Sequence, residues 1–166
     1  MERRTCKSKT ATINNNYSYV QGGTVLVTRI DFPTIRNLLL DDRHFKIIKA
    51  ELVIQPSVIM NPDYLPDNLL LIVTNKHSDL LSKYTDGEGN DVKSTLNIDY
   101  MDRENSSYTW DITSFIEEIT QVEESNYNGL LILPENYDSD FDHVIISDQK
   151  RSHFKTFLKL YVMYYE

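Results

Sequence analysis

The chain has 166 residues, 40% hydrophobic and 25% charged, with a net charge of −8. That length suits one domain with a core of its own, and an acidic surface repels phosphate backbones, so nucleic acid is excluded as an expected partner. The lone cysteine, Cys6, excludes an internal disulfide and a cysteine-based zinc site, and no run approaches the ~18 apolar residues that a membrane-crossing helix needs.

Residues 1–16 are basic and polar, end in Asn14-Asn15-Asn16 and show no period, which predicts a flexible N-terminal arm without the apolar segment of a signal peptide. Residues 17–166 are expected to form a single domain. Gly22-Gly23 marks a turn, and Thr24 to Ile30 reads as a strand. Pro33 suits the first position of a short helix, with Ile35, Leu38 and Leu39 on one side. Ile48, Ala50, Leu52 and Ile54 alternate with Lys49, Glu51, Val53 and Gln55, which predicts a strand with one buried and one wet face.

Leu69 to Val73 is a continuous apolar strand. After the polar loop Tyr84 to Asp91, the alternation of Leu96, Ile98 and Tyr100 predicts another. Tyr108 to Pro134 reads as strand, capped helix, glycine and buried strand. Ser114 and Glu117 have capping-box spacing, with Asp111 and Thr113 as competing caps, and Phe115, Ile116, Ile119 and Val122 form one apolar stripe. Val144–Ile146 and a last strand carrying Leu158, Leu160, Val162 and Tyr164 on its inner side complete the pattern. About eight strands with two short helices predict an all-β fold, an antiparallel two-sheet sandwich of jelly-roll type.

Few residues point to chemistry. Asp86, Glu88, Asn90 and Asp91 offer oxygen ligands in a glycine-bearing loop and form the better candidate for a structural calcium ion. Asp138, Asp140 and Asp142 open with calcium-loop spacing but lack the glycine and glutamate that such a loop requires. Glu117 and Glu118 point about 100° apart on a helix and do not converge as an acid–base pair. Nucleotide-binding and serine-hydrolase motifs are missing, so a non-enzyme is expected. Trp110 is expected in the core. Tyr64, Tyr84 and Tyr137 fall in predicted loops, where exposed rings could stack on a sugar.

The segments Val20-Gln21-Gly22-Gly23, Ile30-Asp31-Phe32-Pro33, Ile48-Lys49-Ala50-Glu51-Leu52, Tyr108-Thr109-Trp110-Asp111-Ile112-Thr113, Gly129-Leu130-Leu131-Ile132-Leu133-Pro134 and Leu158-Lys159-Leu160-Tyr161 stand in an order that resembles the C-terminal part of the domain-of-unknown-function family 4270. It is also similar to jelly-roll modules of secreted bacterial proteins. The resemblance implies a sandwich carried by a bacterial cell-envelope lipoprotein, at the outer-membrane surface or in the periplasm, whose export signal lies outside this chain. It implies no established activity. The expected function is a non-catalytic structural or interaction module binding an envelope protein. The alternative is a carbohydrate-binding module whose partner is a glycan.

Overall fold

A computed structural model describes residues 17–24, 26–35, 45–57, 64–121, 128–139, 141–147 and 153–164. Strand accounts for 52% and helix for 11%, and the fold is all-β. Among the described residues the strands are β1 (Tyr17–Gln21), β2 (Thr28–Ile30), β3 (Phe45–Ile54), β4 (Asn68–Thr74), β5 (Leu80–Lys83), β6 (Lys93–Thr95), β7 (Tyr108–Asp111), β8 (Gly129–Pro134), β9 (His143–Ser147) and β10 (Thr156–Tyr164). One helix, α1 (Thr113–Gln121), stands between β7 and β8. The proposed arm 1–16 and most of the helix expected after Pro33 lie outside the described residues.

Every strand pairing is antiparallel. One sheet runs β10-β3-β7, a second runs β2-β8-β4-β5 with β6 also on β4, and β1 pairs with β9. Just past β3, the Ser57 amide donates to the Ile145 carbonyl at 2.7 Å, which attaches β9 to the chain leaving β3. Neighbours in the sheets are mostly distant in sequence, so the chain crosses repeatedly between layers, as a sandwich of this kind requires.

The core is filled from both sheets. Ala50, Leu52 and Ile54 of β3 and Tyr108 and Trp110 of β7 share one buried cluster with Leu69 and Leu71 of β4 and Leu130 and Ile132 of β8. Burying each large side chain contributes roughly 1.5–3 kcal/mol. All six residues of β8 are buried. That accounts for its unbroken apolar run, since a strand covered on both faces has no use for alternation.

Helix α1 adds Phe115, Ile116 and Ile119 to the cluster. It starts where Asp111 Oδ1 accepts from the Thr113 amide at 3.0 Å and the Thr113 hydroxyl at 2.6 Å. Of the caps the sequence offers, Asp111 is therefore the one used, while Ser114 bonds the Tyr84 hydroxyl instead, at 2.7 Å. The Thr113 hydroxyl oxygen also accepts from the Ala50 amide at 2.9 Å, and the Ile112 amide donates to the Ala50 carbonyl at 2.8 Å, which fastens the helix start to β3. Asp111→Ala should lower stability by about 1 kcal/mol, read as an earlier urea midpoint with an unchanged slope.

Polar groups carried into the interior are paired. The Tyr108 hydroxyl donates to the Pro66 carbonyl, and Trp110 Nε1 donates to the Leu69 carbonyl at 3.3 Å. Burial pushes the Tyr108 hydroxyl's pKa well above the ordinary phenol value. Among the described residues no buried side-chain nitrogen or oxygen lacks a hydrogen-bond partner.

Three expectations change. Strict alternation put Ile48 inside with Ala50, yet Ile48 is 53% exposed and Ile47 is buried. The ladder explains this: Tyr161 pairs with Lys49 and Val162 with Ile47, so Ile48 is an extra residue that reverses the phase of β3. The strand expected through Tyr100 ends at Thr95, because Asp99 accepts from the Met101 and Asp102 amides at 2.9 and 3.0 Å and bends the chain into a turn. The strand expected from Thr24 begins only at Thr28. Before it, Gly23 sits at φ 69, and a Cβ there would come within 2.5 Å of the Phe141 ring. Only glycine fits that turn.

Candidate functional site

The three loop tyrosines are not brought together as one platform. Tyr84 is only 7% exposed. Its ring packs edge-on to Phe115 at 6.3 Å and its hydroxyl is held by Ser114, so it belongs to the core. The correction has a simple cause: the polar loop begins after Tyr84, whose amide still donates to the Leu71 carbonyl of β4 at 2.8 Å. Tyr64 is well exposed, and Tyr137 is half-buried.

The candidate calcium loop closes on itself. Asp86 Oδ1 accepts from the Glu88 amide at 2.9 Å and the Asn90 amide at 2.8 Å, and the Asn90 side-chain amide reaches Asp86 Oδ2 at 3.1 Å. These bonds, led by the Asn90 amide, hold the Asp86 carboxyl below its usual pKa. Asp91 is drawn away to Lys83 at 2.6 Å. Among the described residues no three His, Cys, Asp or Glu side chains gather as metal ligands. The carboxyl oxygens of Asp86 and the carboxylate of Asp91 are thus engaged within the chain. Accordingly, adding excess EDTA or calcium should leave the melting temperature unchanged, whereas a calcium-dependent rise would restore the metal reading.

His153 Nδ1 lies 3.2 Å from Glu104 Oε2. Both side chains are more than half exposed, so this contact encloses no substrate. Glu117 and Glu118 are exposed on α1, as expected of a wet helix face.

An organised surface with exposed apolar side chains lies on the outer face of β10 and β3. Lys49 Nζ is 2.7 Å from Glu51 Oε1, and the Tyr161 hydroxyl donates to Glu51 Oε2 at 3.3 Å. Hydrogen bonding within this trio raises the pKa of Lys49 and lowers that of Glu51. Next to it Lys159 Nζ stands 5.6 Å from the centre of the Phe157 ring. Around these held charges lie Ile48, Tyr161 and Met163, which are 53%, 48% and 45% exposed.

This face is assembled by the pairing of residues 45–54 with 156–164. Sequence reasoning missed it because it treated the wet sides of the two strands separately. The available signal was the run Phe157 to Tyr164, which is apolar on both sides apart from Lys159. Compared with known proteins, the chain matches no family model, no curated protein and no solved structure. Among the described residues no helix is long and apolar enough to cross a membrane.

Proposed function

We propose that this chain is a non-catalytic interaction module of a bacterial cell-envelope lipoprotein, and that it binds protein. The observation carrying the binding part is the outer face of β10 and β3, where exposed apolar side chains surround charges already fixed by one another. Side chains held in place before contact lose less freedom on binding, which favours such a face as a docking surface. The envelope location is an inference from the family resemblance alone.

Two measurements test the reading. Affinity electrophoresis against host and dietary polysaccharides should show no retardation; retardation by one glycan, abolished by Tyr64→Ala or Tyr137→Ala, would replace the protein-binding reading with the carbohydrate one. Fractionation of the producing cells with an antibody to this chain should place it in the detergent-extractable membrane fraction. Recovery in the cytosol would overturn the envelope assignment.

A further inference from the structure

We infer that the chain cross-links itself: Lys93 Nζ condenses with the side-chain amide of Asn68, forming an isopeptide bond between β6 and β4 with release of ammonia. Asn68 opens β4, the strand that pairs with β6 on one side and β8 on the other. Opposite Asn68 on β6 is Thr95, and Lys93 stands two residues from Thr95 on the same face. Glu135 follows β8, and its amide donates to the Asn68 carbonyl at 3.0 Å. Three neighbouring strands therefore bring Lys93, Asn68 and Glu135 to one patch.

The side chains meet in an arrangement suited to attack of an amine on an amide. Glu135 Oε1 lies 3.0 Å from Lys93 Nζ, and Glu135 Oε2 accepts from Asn68 Nδ2 at 2.8 Å. One carboxylate thus holds both the attacking nitrogen and the nitrogen to be expelled. The Thr95 hydroxyl donates to Asn68 Oδ1 at 2.7 Å, the oxygen on which charge gathers during attack. The carboxylate only accepts, so it fixes which end of the Asn68 side chain is nitrogen. Diagonal neighbours on paired strands have Cβ atoms roughly 7 Å apart, a gap that a lysine joined to an asparagine can span.

Lys93 loses one proton to water and attacks Asn68 Cγ as a neutral amine. The carbonyl oxygen takes the negative charge against the Thr95 hydroxyl. Glu135 accepts a proton from Nζ and delivers it to Nδ2. The Cγ–Nδ2 bond breaks, ammonia leaves, and Glu135 is again a carboxylate. The exchange is redox-neutral and needs no co-reactant. Hydrogen bonding to Lys93 holds the Glu135 carboxyl below its usual pKa, so it is ionised and able to take up a proton. Lys93 is half-exposed, which gives its own proton a route to water. Well-oriented groups within one molecule react as if at roughly 10⁵–10⁸ M. The bond forms once per chain, a self-modification rather than turnover, so a slow step suffices.

Intact-mass spectrometry of the full chain, held at about pH 7 and about pH 9, tests this. The expected result is a species lighter by one ammonia, about 17 Da, that accumulates with time. An ammonium cannot attack, so accumulation should quicken by up to about tenfold per pH unit. Fragmentation should find Asn68 and Lys93 in one branched peptide, with trypsin no longer cutting after Lys93. Lys93→Arg can keep the ion pair with Glu135 but cannot lose its proton, and should show the full sequence mass. Glu135→Gln should slow the step about 100-fold or more. Full mass in the unmodified chain after prolonged incubation at the higher pH overturns the inference and leaves an ordinary ion pair. A mass loss that survives Lys93→Arg overturns it too, since it then arises from an asparagine cyclised elsewhere. Neither result bears on the protein-binding reading, which has its own tests.

Discussion

Trp110→Ala should be the most damaging simple truncation in the molecule, costing about 3–5 kcal/mol. Trp110 is 1% exposed, stacks on Tyr108 with ring centres 6.1 Å apart, and bonds the Leu69 carbonyl of the opposite sheet. The substitution opens a cavity where the two layers meet and removes the indole N–H bond to that carbonyl. Domains of this size are stable by only about 5–15 kcal/mol, so a large share would be lost. At roughly 2–4 °C per kcal/mol, the melting temperature should fall by about 6–20 °C. Tyr100→Ala is the control: the ring is 79% exposed, and its loss should change stability by less than about 0.5 kcal/mol. Equal melting of the two variants would show that the indole does not bridge the layers.

Placing a carboxylate in the sheets should produce a steep gradient from centre to edge. Ile132 pairs with Thr28 on one side and Leu71 on the other and is fully buried. Ile132→Asp forces an unpaired charge into that site, costs more than about 4 kcal/mol and should leave no cooperative melting transition. Leu160→Asp lies on the edge strand with its side chain partly in water. There the carboxylate can turn outward, and the cost should be nearer about 1–3 kcal/mol, with a visible transition. From the sequence alone, Leu160 reads as a core position whose replacement by Asp unfolds the domain. The edge location of β10 is what reduces the expected effect. Thermal melting of both variants followed by circular dichroism separates the two cases, and equal damage would contradict the strand order.

The legible parts of the fold were those governed by local pattern. Asp111, Thr113 and the Phe115-Ile116-Ile119 stripe announce a helix, and the unbroken Gly129–Pro134 run announces a strand covered on both sides. Trp110 is core because a single indole in a strand usually is. The misses have non-local causes. Nothing in Ile47-Ile48 says which isoleucine is inside, because the bulge is set by pairing with residues more than a hundred positions later. All four residues of β5 are exposed, so that strand exists through backbone pairing with β4 and leaves no hydrophobic alternation to detect. Tyr84 looked like a loop residue because its partners, Phe115 and Ser114, arrive from α1. The candidate surface was hidden for the same reason: Glu51 and Tyr161 meet only after β3 and β10 have paired.

The outer face exists only if β10 is an ordered strand paired with β3 in the register that brings Tyr161 to Glu51. Amide hydrogen exchange along Thr156–Tyr164 measures this residue by residue. Alternation from the Gln55–Lys155 bond turns the amides of Phe157, Lys159 and Tyr161 toward β3, and slow exchange is expected at all three. Fast exchange at these three amides would contradict the pairing and with it the face on which the proposed binding rests.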